Sequence, residues 1–156
     1  MALPNTDPIY TRVGDVQSVG WLVRVAASTL YDGAGTIATS VADGGPHKVW
    51  QADATNGGFF RSLIFKYGGT STTVSNATTM KVFISSVSSG STTDANTWLI
   101  DEIALPATTP SATGANITYS LPINLPIPAG YTILVKCLSV QPASMGWYVT
   151  GIGGKY

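Results

Sequence analysis

Residues 125–140, LPIPAGYTILVKCLSV, decide the fold class. Pro126, Pro128 and Gly130 compress a turn into a few residues, because proline fixes φ and glycine tolerates positive φ. The run from Tyr131 onward is rich in β-branched and aromatic residues and too short for an ordinary helix, so it reads as a buried strand. One face of that strand carries Tyr131, Ile133, Val135 and Cys137. The other carries Leu134, Leu138 and Val140 with a single charge, Lys136. A sandwich strand needs only one apolar face. The second is expected to be covered by a neighbouring subunit, a loop or the N-terminal arm, and a subunit is the reading adopted here.

Outward from this run the chain reads as short strands between Gly, Ser, Asn and Pro clusters. They are expected at about 36–42, 48–52, 59–67, 79–86, 98–105, 115–125, 131–140 and 147–152. Residues 115–125 alternate most cleanly, with Ala115, Ile117, Tyr119, Leu121, Ile123 and Leu125 on the face assigned to the core. Residues 15–30 fit a helical spacing behind Asp15, but Trp21, Val23 and Val25 also alternate. The turn signal Asp32-Gly33-Ala34-Gly35 tips that segment toward a strand. The expectation is an all-β antiparallel sandwich of eight or nine strands, jelly-roll-like, over residues 15–156. Residues 1–14 form an extended arm, because Pro4 and Pro8 break regular structure while Leu3, Ile9 and Tyr10 have no local pattern to bury them. Such an arm is either a disordered terminus or a strap onto a partner.

A chain of 156 residues is long enough for one domain that buries roughly 70% of its unfolded surface. Only 10% of the residues are charged, against about a quarter in an ordinary soluble domain. The polar surface is therefore built from Ser, Thr, Asn and Gly, and weak charge repulsion favours assembly. Eight basic residues balance eight acidic ones, and no basic stripe tracks a phosphate backbone, so nucleic acid is not an expected partner. Cys137 is the only cysteine and reads as a small core residue. The first residues lack a signal-peptide pattern, and no stretch has the length of a membrane span, which leads us to expect synthesis in a cytoplasm and no membrane partner.

Chemistry is sparse in this sequence. His47 is the only histidine, beside Gly44-Gly45-Pro46, and is expected in a loop; no Gly-x-Ser-x-Gly elbow accompanies it. Asp101 and Glu102 are adjacent, so on a strand they point to opposite faces and cannot pair as glycosidase carboxylates do. Asp32, Asp43, Asp53 and Asp94 lie in or near loops as oxygen ligands for calcium, but the EF-hand spacing is absent. No catalytic residue, cofactor or metal site is assigned. Gly151-Ile152-Gly153-Gly154 lacks a following helix and reads as a kinked terminal strand rather than a dinucleotide fingerprint.

Recognition surfaces are the remaining choice. Leu134, Lys136, Leu138, Trp147 and Tyr148 are the candidate subunit interface, and Leu3, Pro4, Ile9 and Tyr10 the candidate partner-binding arm. Trp50, Phe59 and Trp98 are the alternative ligand-contacting aromatics. The hydroxyl-rich segments 68–79, 85–97 and 106–114 serve either as sugar-contacting loops or as solvated turns.

The order of several segments resembles that of small jelly-roll virion proteins of tailed bacteriophages. It runs through Asp32-Gly33-Ala34-Gly35-Thr36, Phe60-Arg61-Ser62-Leu63-Ile64-Phe65-Lys66 and Thr79-Met80-Lys81-Val82-Phe83-Ile84. It continues with Leu99-Ile100-Asp101-Glu102-Ile103, the prolines of 106–111 and the ending Gly151-Ile152-Gly153-Gly154-Lys155-Tyr156. The likeness covers residues 30–156 and departs at 44–57 and in the long loop before Trp98. It implies a non-enzymatic capsid cement or decoration protein, a homotrimer on the outer head surface of the virion. The major capsid protein is its implied partner. The alternative is a receptor- or carbohydrate-binding module of a tail or head fibre, with a host surface glycan as partner.

Overall fold

In the computed structural model of the chain, residues 17–22, 34–39, 45–93 and 95–156 are described, the first of these segments by its backbone pairing alone. The expected arm of residues 1–14, with Leu3, Pro4, Ile9 and Tyr10, lies outside them, as do Asp32, Asp43 and Asp94. The described residues form ten strands and no helix. In chain order these are β1 (Gln17–Leu22), β2 (Gly35–Thr36), β3 (His47–Gln51), β4 (Gly58–Gly69) and β5 (Thr78–Ser85). They continue as β6 (Ser91–Thr92), β7 (Thr97–Leu105), β8 (Thr118–Ile127), β9 (Thr132–Cys137) and β10 (Met145–Lys155).

Two four-stranded sheets, ordered β1-β10-β4-β8 and β3-β9-β5-β7, carry the fold, and every pairing is antiparallel. The small pair β2 and β6 stands apart. One core joins the two sheets: Val49, Trp50, Met80, Val82, Ile133 and Val135 from one meet Phe60, Leu63, Phe65, Tyr67, Trp147 and Val149 from the other. All-β structure follows from the sequence because alternating Val, Ile, Phe and Tyr bury one face per strand while turns recur at Gly, Pro and Asn. The pairings are nested. Setting aside the two-residue strands, the first pairs with the last, and then the second with the seventh, the third with the sixth and the fourth with the fifth.

All six residues of β9 are buried. Ile133, Val135 and Cys137 enter the shared core, as expected. On the opposite face Leu134 packs with Phe83 and Ile37, and Val87 closes the cluster. Lys136 is buried too, its Nζ 3.5 Å from the Ala34 carbonyl. At Leu134 and Lys136 the second face is thus covered by this chain's own Ala34, Ile37 and Val87, and the expectation of a subunit there is corrected, while Val140 beyond them stays exposed. Sequence distance hid the cover, since residue 34 returns over β9 from 102 positions upstream of Lys136.

Two further expectations shift. His47 is not in a loop; it opens β3, buried, opposite Val135. Residues 115–117 precede β8, so Ile117 stands 60% exposed instead of entering the core. Asn124 has φ 53° where the register with β4 slips between Phe60 and Ser62, and Leu125, though paired with the core Phe60, is left 38% exposed on the edge strand.

Candidate functional site

Trp50 and Trp147, assigned to ligand contact and to a subunit interface, are both fully buried. Trp50 tilts against Phe60 with ring centroids 5.4 Å apart, and Trp147 lies between Tyr67 at 5.2 Å and Tyr119 at 5.8 Å. Neither reaches a partner molecule, because alternation on β3 and β10 turns both into the shared core. Phe59, Leu138 and Tyr148 are half-buried. Trp98 alone of these aromatics is open, at 43% exposure, stacked near Tyr131 at 6.4 Å and 17°.

The described residues offer two surfaces in place of the predicted subunit interface. The first is the open flank between the edge strands β7 and β8, which lie beside each other across the core. Half-buried Ile100 and Ile103 of β7 and Leu121 and Ile123 of β8 form its floor. Exposed Trp98 and Leu125 form its rim, while Leu99, paired with Phe83, faces the other side of the sheet. Neither strand is a ready template for another strand. Pro122 and Pro126 remove donors from β8, and the Glu102 amide of β7 donates to the Asp101 carboxylate at 2.8 Å. Contact on this flank therefore falls to side chains.

The second surface is one end of the molecule, where the connections β4–β5, β7–β8 and β9–β10 meet. None of residues 69–77, 106–117 and 138–144 carries a charged side chain. Buried polar groups lace the three loops together. The Thr108 amide donates to Ser75 Oγ at 2.7 Å and the Ser75 amide to the Thr108 carbonyl at 2.9 Å. Asn76 Nδ2 donates to the Val140 carbonyl at 2.6 Å, and its amide to Gln141 Oε1 at 3.2 Å. Ser75, Thr108 and Gln141 are all buried. Sequence reasoning flagged two of these loops as hydroxyl-rich but missed the lacing, since a buried Ser or Gln looks the same in sequence as a solvated one. The available signal was the absence of charge from three separate loops.

Between residues 69–72 and 110–116 this end opens into a cleft of about 570 Å³. Its lining holds no ionisable side chain to activate the Ser and Thr hydroxyls, and what it offers a ligand is neutral hydrogen bonds. Elsewhere, the Asp53 carboxylate accepts from the amides of Thr55 at 2.9 Å and Asn56 at 2.8 Å, and these bonds, the Asn56 one foremost, hold it below its ordinary value. Among the described residues no three His, Cys, Asp or Glu side chains gather to hold a metal. The Cys137 thiol is buried, and burial pushes its pKa up.

No family model, no curated protein and no solved structure matches this chain.

Proposed function

We propose that the chain is a non-enzymatic structural protein of a tailed-phage virion, a capsid cement or decoration protein that assembles as a homotrimer and binds the major capsid protein on the outer head surface. The observation that carries the reading is the apolar flank of β7 and β8. Six large apolar side chains sit exposed or half-exposed there, on edges closed to strand addition, which suits packing against further copies of the chain. A standard interface of roughly 1,600 Å² would bury such a patch. The nested pairing supports a jelly roll, because one long hairpin of four strand pairs, rolled on itself, produces that strand order. The order of sequence segments adds the likeness to virion proteins.

Sedimentation of the wild-type chain and of a Trp98→Lys, Leu125→Lys double variant tests the assembly. Both positions are exposed, so the variant is expected to fold and to sediment as a monomer where the wild type is a trimer. Pelleting with phage heads stripped of this protein tests attachment. A wild-type chain that stays monomeric at every concentration and leaves heads undecorated overturns the reading.

A second reading, a tail or head-fibre module that binds a receptor or carbohydrate, draws on a different observation: the uncharged cleft between residues 69–72 and 110–116.

A further inference from the structure

We infer that this cleft is a binding site for a neutral glycan, with Asn116 and Thr72 as its specificity-determining donors. The inference rests on the carbohydrate-binding reading and supplies it with a site and a ligand class.

About 570 Å³ lies within the roughly 300–1,000 Å³ of small-ligand pockets, so it takes a short oligosaccharide and not a single ion. The lining is Thr70, Ser71, Thr72, Ser111 and Asn116 with Pro110 at one wall. Hydroxyls and an amide match the alternating donors and acceptors of a polyol, and the threonine methyls and the proline ring offer apolar contact to its C–H faces.

The hydrogen bonds already made show which groups are left for a ligand. Asn116 Oδ1 accepts from the Ser111 amide at 2.6 Å, which fixes the side chain, and its Nδ2 has no hydrogen-bond partner among the described residues. Ser111 Oγ accepts from the Gly114 amide at 2.7 Å and keeps its proton to donate. Ser71 Oγ and Thr73 Oγ1 are 2.8 Å apart and satisfy each other in part. The walls are held by the laced loops behind them, so little ordering is lost on binding.

Charge decides the class of sugar. No Lys, Arg or His lies in residues 69–77 or 106–117, so uronic and sialic acids find no counter-ion, and phosphate is disfavoured for the same reason. An uncharged peptide is the other neutral candidate. It fits less well, because the cleft has no apolar recess for an anchoring side chain of the kind that carries peptide affinity.

The test is amide chemical-shift mapping of the full chain with maltotriose, tri-N-acetylchitotriose, isomaltotriose, trigalacturonate and an uncharged Gly-Ser-Val hexapeptide. The expected result is saturable shifts confined to residues 69–73 and 110–117 with at least one neutral trisaccharide, unaffected by added salt. Asn116→Asp keeps the oxygen that receives the Ser111 amide but removes the donor, and Thr72→Val removes a hydroxyl at constant shape. Each is expected to weaken that binding about fivefold or more, the loss of one hydrogen bond, with the rest of the spectrum unchanged. No shift with any neutral trisaccharide, shifts that both variants leave intact, tighter binding of trigalacturonate, or shifts with the hexapeptide alone overturn the proposal. Binding by a chain that never assembles would sink the cement reading and leave this one standing. A trimer with a silent cleft would do the reverse.

Discussion

Gly153 stands where the Trp50 indole needs room: a Cβ at that position would lie 2.9 Å from Trp50 Cε2 and Nε1 and 2.8 Å from the Phe59 carbonyl. Gly151, two residues earlier, serves Phe60 in the same way, since a Cβ there would meet that ring at 3.1 Å. The glycine-rich ending is thus a seat for two core aromatics, and the bulge between Ile152 and Gly153 lets β10 follow β4 around them. Gly153→Ala is expected to cost about 1–3 kcal/mol through overpacking, read as a lower denaturation midpoint at unchanged slope. A variant as stable as the wild type would show that the indole moves aside freely.

Leu134 distinguishes a strand covered by its own chain from one waiting for a partner. It is fully buried against Phe83 and Ile37. Leu134→Ala is expected to lose about 2–5 kcal/mol, as buried leucines do on truncation, with the association state of the folded fraction unchanged. Loss of assembly at undiminished monomer stability would restore the face to an intermolecular role.

Tyr67 carries a buried hydroxyl with no hydrogen-bond partner among the described residues, and burial pushes its pKa above the ordinary 10.0. Replacing an unsatisfied buried polar group removes its desolvation cost, so Tyr67→Phe is expected to be neutral or to gain up to about 1 kcal/mol near neutral pH. The pH dependence has a definite sign. A phenol held protonated in the folded chain ionises first in the unfolded one, so its contribution is complete below the unfolded value and is lost as pH rises past it. Cys137, raised from 9.0 by the same cause, begins this alkaline decline earlier. Tyr67→Phe should therefore flatten the upper part of the decline and leave the part due to Cys137. Urea titrations across the alkaline range check both statements; an undiminished slope above pH 10 in the variant contradicts them.

Strand positions were legible because β4, β5, β7, β9 and β10 each carry a compact apolar run bounded by Gly, Pro or Asn, and the sequence boundaries fall close to the observed ones. Cys137 was legible as core for the same reason. The face taken by an aromatic was not. Trp50 and Trp147 go inward while Trp98 goes outward, and the choice depends on register, which bulges at Asn124, at Ile100 and near Gly153 reset without a local signature. Two-residue strands such as β2 and β6 are too short to show a period at all. Residues 34–38 cover Leu134 from far upstream in the chain, a contact no spacing rule predicts. The cleft was half-legible: its hydroxyl-rich loops are visible in composition, but their meeting at one end is a product of the nested pairing.

Asp53 offers the acid counterpart to Tyr67. Its carboxylate is exposed and accepts the amides of Asn56 and Thr55, with Lys155 adding a favourable charge, so its pKa lies below the ordinary 3.8. The turn it organises joins β3 to β4 and also receives the chain from β8, because the Gly130 amide donates to the Asp53 carbonyl at 2.9 Å. A carboxyl depressed in the folded state lends stability that is complete above the unfolded pKa and disappears as pH falls through the folded one. Asp53→Asn keeps an acceptor oxygen for the two amides but cannot titrate. The wild type is therefore expected to lose stability below about the 3.8 of the unfolded carboxyl more steeply than Asp53→Asn, the two converging as acid protonates the wild-type side chain. Thermal midpoints of both proteins through the acid range check this, and parallel curves would mean that the turn is held by its backbone alone.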